Sequence, residues 1–84
     1  MDSRQKIRQF IKENFLFTDD DSALVDGDSL MMKGVIDSTG ALEVIMFLEE
    51  TFGFEVGEEE MIPENLDSVD NLVDYVKRKT TAAA

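Results

Sequence analysis

Apolar residues recur at helical spacing three times along this chain, and no stretch of any length alternates at the two-residue period of a strand. In residues 3–16, Ile7, Phe10, Ile11 and Phe15 fall at i, i+3, i+4 and i+8, with Ser3 placed to cap the start. In residues 39–52, Leu42, Ile45, Leu48 and Phe52 form one stripe with Val44 beside it, and Gly53 supplies a common helix stop. Met46 and Phe47 fall at the edge of that stripe. Pro63 suits the first position of a short helical turn through Leu66. Ser68 then caps a last helix whose apolar face is Val69, Leu72, Val73 and Val76.

Eighty-four residues leave room for one small core. The expected fold is all-α: a small four-helix bundle of three main helices and one short one, with a long loop between the first two. Its expected core is Phe10, Ile11, Leu42, Ile45, Leu48, Phe52, Val69, Leu72 and Val76. The domain should span residues 1–80, and residues 81–84 should fray.

Residues 17–37 make an unusually long connection, and loops of that length are either functional or pinned down. Leu24, Leu30, Val35 and Ile36 are the expected pins. The acids around Asp19-Asp20-Asp21 and Asp26-Gly27-Asp28 invite a calcium-loop reading. Placing Gly27 sixth puts Ser22 first, Leu24 third and Lys33 twelfth, where an EF-hand needs oxygen ligands and a closing glutamate. No metal site is expected from that spacing.

Composition narrows function by elimination. The chain has no cysteine and no histidine, so it lacks a thiolate nucleophile and the usual neutral-pH base, and an enzyme is not expected. The formal net charge of −11 would repel nucleic acid and anionic membranes. Apolar runs fall short of the ~20 residues of a membrane span, and the start Met1-Asp2-Ser3-Arg4 does not open a signal peptide. A cytoplasmic monomer is expected. The basic residues crowd the ends (Arg4, Lys6, Arg8 and Lys12, then Lys77, Arg78 and Lys79) around an acidic middle. That middle suits either docking on basic partners or plain solubility. So many acids on a small surface should raise the pKa of some carboxylates.

The candidate functional stretch is Gly34-Val35-Ile36-Asp37-Ser38-Thr39-Gly40. It puts Asp37 and Ser38 at the mouth of the best-patterned helix, where unpaired N–H groups and the helix dipole favour side-chain oxygens and bound phosphate. Ser38 is the candidate. Two other Asp-Ser pairs compete, Asp28-Ser29 and Asp67-Ser68. Only four residues separate Ser29 from Gly34, so no long helix starts there. Ser68 starts a helix without the glutamates and methionine that follow Ser38.

An acidic, cysteine-free chain of this size, with Gly-x-x-Asp-Ser leading into Leu42-Glu43-Val44-Ile45-Met46-Phe47-Leu48-Glu49-Glu50-Thr51-Phe52-Gly53, resembles the acyl and peptidyl carrier proteins over residues 3–79. The resemblance implies that Ser38, beside Asp37, bears 4′-phosphopantetheine attached from coenzyme A. It implies acyl or aminoacyl groups carried as thioesters on that arm. Implied partners are a phosphopantetheinyl transferase, a loading ligase and acyl-transferring enzymes with basic docking patches, meeting Thr39, Leu42, Glu43, Met46, Glu49 and Glu50. Fatty-acid carriers follow the serine with leucine, whereas Thr39-Gly40 is similar to the Asp-Ser-Met-Gly of D-alanyl carriers and the Asp-Ser-Thr-Gly of some stand-alone carriers. Met31-Met32-Lys33 stands where the family often has acids. The alternative is an acidic helical interaction domain without a prosthetic group.

Overall fold

The computed structural model describes residues 3–82. Helix α1 (Ser3–Ile11) widens into a π turn over Lys12–Leu16; helix α2 spans Ser38–Phe52, the short α3 Pro63–Leu66 and α4 Val69–Ala82. Among the described residues there is no strand. The all-α four-helix architecture is therefore as the periodicities predict. Helix α4 runs to Ala82, beyond the expected end at residue 80, while residues 83 and 84 of the expected tail lie outside the described residues.

Helices α1 and α2 run antiparallel, because early residues of one meet late residues of the other. Phe10 stacks on Phe47 with ring centroids 4.2 Å apart, and the Lys6 ammonium sits 5.8 Å above the Phe52 ring. The Phe15 ring reaches Gly40, in the first turn of α2. The core is Ile7, Ile11, Leu24, Leu30, Ile36, Val44, Leu48, Val69, Leu72, Tyr75 and Val76, with Phe10 and Phe52 packed half-buried against it.

Leu42 does not belong to this core; it is 55% exposed. At about 100° per residue the buried arc of α2 centres on Val44, Ile45 and Leu48, and Leu42 falls outside it. Tyr75 was not among the expected core residues, yet its ring is buried against Phe54 at 5.7 Å in an edge-to-face pair. Its hydroxyl donates to Glu60 Oε1 at 3.2 Å, and Lys79 Nζ reaches the same oxygen at 2.9 Å.

The long connection is pinned by charge as well as by its apolar residues. Arg4, Arg8 and Lys12, four residues apart, line one side of α1 and the turn after it. Arg4 Nη1 lies 2.6 Å from both Asp26 Oδ2 and Asp70 Oδ1. Arg8 bonds Asp26 and donates to the Leu24 carbonyl at 2.9 Å and the Asp21 carbonyl at 2.7 Å. Lys12 pairs with Asp21. Part of the charge asymmetry is thus consumed within the molecule.

Three carboxylates shift in the direction opposite to the rise that crowding predicts. Lys12 holds Asp21 below the usual range, the hydroxyl and N–H of Ser22 hold Asp20 below it, and Lys79 with the Gly57 N–H lowers Glu60. Such groups stabilise the fold above the unfolded carboxylate value and lose that contribution as pH falls through their lowered values.

Tyr75 gives the opposite edge. Burial, then the Glu60 charge, pushes its hydroxyl up to about 12 from 10.0. The folded state therefore favours the neutral phenol, a contribution intact below pH 10 and lost as pH rises towards 12. Thermal melts across that window should show a steeper alkaline loss for wild type than for Tyr75→Phe. Parallel curves would contradict the assignment.

Candidate functional site

The site is the start of α2. Asp37 is the N-cap: its extended backbone turns the chain into the helix and its Oδ1 accepts the Gly40 N–H at 2.7 Å. The Ala41 N–H reaches the Asp37 carbonyl at 2.8 Å. Ser38 is the first helical residue and exposed; among the described residues no partner takes its hydroxyl. The N–H groups of Ser38 and Thr39 likewise have no backbone acceptor. Two free donors and the positive end of a 15-residue helix therefore surround a free hydroxyl.

Gly40 is required here by close approach. A Cβ at that position would lie 2.8 Å from Phe15 Cε1 and 3.4 Å from Asp37 Oδ1. The π turn sets Phe15 over this spot, and the ring shares a shallow depression with Gly34, Val35, Asp37, Thr39, Gly40 and Glu43. Gly34 has a φ of 73°, the left-handed region that glycine enters without penalty, as the chain turns into Val35-Ile36. Ile36 is buried and anchors the approach.

The remaining α2 candidates share one side of the helix. At about 100° per residue, Ser38, Thr39, Leu42, Glu43, Met46, Glu49 and Glu50 fall within an arc of roughly 140°. Thr39, Leu42, Glu43, Met46 and Glu50 are exposed, with Met46 at 58%. Glu49 differs: it is half-buried and its Oε2 accepts the Val56 N–H at 3.0 Å, tying α2 to the chain that follows it.

No family model matches the chain. It is 33% identical over 54 residues to a D-alanyl carrier protein of Abiotrophia defectiva, a match covering 64% of this chain and 68% of that relative. The chain belongs to the carrier protein family, in its D-alanyl-carrier-like group.

In this carrier the two competing serines have structural work. Ser68 is buried and its Oγ caps α4 by accepting the Asn71 N–H at 3.0 Å. Ser29 Oγ donates to Asp67 Oδ2 at 2.5 Å and accepts the Met32 N–H at 3.1 Å. Asp67 also takes the Met31 N–H on its other oxygen at 3.0 Å and the Leu30 N–H on its carbonyl at 2.6 Å. The two decoy motifs bind each other and brace the loop that leads to Ser38.

Among the described residues, no group of three or more acidic, histidine or cysteine side chains could hold a metal ion, and no helix is long and apolar enough to cross a membrane. The sequence placed Gly40 in the candidate stretch without its close-packing role, and did not place Phe15 or Asp67 at the site. For the first two a signal was available, since a glycine beside a helix cap often marks close approach of another element.

Proposed function

We propose that this carrier bears 4′-phosphopantetheine on Ser38 and delivers acyl or aminoacyl groups to partner enzymes. The observation that carries the reading is the free, exposed Ser38 hydroxyl beside two unclaimed N–H groups, with capping left to Asp37. These residues fit the group. The Ser38 and Thr39 N–H groups would hold phosphodiester oxygens at the helix N-terminus, and Asp37 would keep the turn in place. When bound, the arm supplies a terminal thiol that holds cargo as thioesters, which the chain itself cannot do without cysteine. Similarity to a D-alanyl carrier protein favours an aminoacyl cargo such as D-alanine over a long acyl chain.

Partners would be the transferase that modifies Ser38, a loading ligase and acyl-transferring enzymes. The exposed side of α2 offers them Glu43 and Glu50 around Leu42 and Met46. A basic patch with a small apolar depression complements that surface, with charge setting the association rate and the apolar contact slowing dissociation.

Glu43→Lys should slow modification by a phosphopantetheinyl transferase about tenfold at low salt, and high salt should narrow the gap from wild type. Met46→Ala should weaken binding with little salt dependence. Reversing Asp19 and Asp20 should do less. The rate of arm transfer against ionic strength measures all of these, and equal damage from the loop reversal would move recognition off α2. Glu49→Lys is a poor probe, because it also removes the bond to Val56.

A further inference from the structure

The end of the π turn is built against both packing and backbone preference. Phe17 closes it with φ 53° and ψ 42°, left-handed, and it is the one non-glycine with positive φ among the described residues. Glycine or asparagine normally fills such a helix-closing position, since a bulky side chain there meets the backbone. The turn itself is tied off well, with the Phe17 and Thr18 N–H groups both reaching the Lys12 carbonyl. Burial does not repay the aromatic ring either, because Phe17 is 82% exposed. Strained backbone under an exposed aromatic side chain points to a role outside the fold.

Its position indicates what that role is. Phe15, two residues earlier, packs against Gly40 and lines the depression beside Asp37, Thr39 and Glu43. Two residues span at most about 7 Å, so Phe17 belongs to the same end of the molecule as Ser38. Enzymes that act on the tip of a long arm can work at a distance from the carrier. The enzyme that modifies the Ser38 hydroxyl must bring its own active site to the start of α2, and its footprint covers the surface around it.

We infer that Phe17 is an aromatic anchor for the phosphopantetheinyl transferase, seated in an apolar pocket of that enzyme at the edge of its contact with α2. This rests on the reading that Ser38 accepts the arm. A large aromatic side chain that becomes buried at a contact is the kind that dominates binding energy, and a backbone already fixed by the bonds to the Lys12 carbonyl lowers the ordering cost.

The anchor makes function and stability move in opposite directions. Asparagine accepts the left-handed conformation, so Phe17→Asn should raise the melting midpoint by ~4 °C or leave it unchanged. The same variant should raise the KM for the carrier about tenfold with a purified phosphopantetheinyl transferase and coenzyme A, at a kcat close to wild type. Phe17→Tyr should keep the wild-type KM. An unchanged KM in Phe17→Asn, or a clear fall in its melting midpoint, would overturn the inference. No modification of the wild-type chain would remove both the inference and the reading it rests on.

Discussion

Ser38→Ala should abolish arm transfer completely while leaving the melting temperature within a few degrees of wild type. The hydroxyl makes no hydrogen bond within the described chain, and Asp37 already satisfies the Gly40 N–H. Losing a true N-cap costs about 1 kcal/mol, but that role lies one residue earlier. Alanine is also the strongest helix former, so the first turn of α2 should be slightly reinforced. Asp37→Ala separates the two roles: it removes the cap, should cost about 1 kcal/mol, and leaves the nucleophilic oxygen in place. Intact-mass analysis after incubation with coenzyme A and a transferase, beside thermal melts, measures both effects. Residual modification of Ser38→Ala would show that another serine accepts the arm.

Asp67→Ala should be the most damaging single change outside the apolar core. Its carboxylate takes the Ser29 hydroxyl and the Met31 N–H, so truncation leaves two donors in the loop without acceptors. Hydrogen bonds to a charged group contribute about 1.5–3 kcal/mol each, and partial exposure lowers that figure, so a total near 2–3 kcal/mol is expected. In a domain of this size that corresponds to roughly 10–15 °C in melting temperature. The effect should reach function, because residues 29–36 position Val35, Ile36 and the cap at Asp37. Hydrogen exchange of the Leu30 and Met31 amides should accelerate in the variant before global unfolding. A melting temperature unchanged by Asp67→Ala would mean that Leu24, Leu30 and Ile36 hold the loop alone.

What the sequence disclosed follows from where its information is local. The bounds of α2 and the start of α4 were legible because Asp37-Ser38, Gly53 and Ser68 are capping signals that act within a turn of themselves. The apolar periods of Val69, Leu72 and Val76 likewise report a face directly. Leu42 misled because a stripe gives the direction of burial only to within a residue or so, and the buried side of α2 turns towards Val44 and Leu48. The π turn at Lys12–Leu16 was hidden, since Ile7, Phe10, Ile11 and Phe15 fit an uninterrupted α-helix equally well. Long-range pairings left no periodic trace. Arg4, Arg8 and Lys12 show a four-residue spacing, but nothing local says that Asp21, Asp26 and Asp70 are their partners. The Ser29–Asp67 contact joins two motifs that, in the sequence, only compete with Ser38. The candidate hydroxyl itself was legible because its setting is a single helix end.

The central claim is that Ser38 accepts the phosphopantetheine arm. Its most direct test is an intact-mass spectrum of the wild-type chain after reaction with coenzyme A and a phosphopantetheinyl transferase, followed by peptide mapping. The account predicts one added 4′-phosphopantetheine group per chain, located on Ser38. An unchanged mass, or an arm mapped to Ser29 or Ser68, would contradict it.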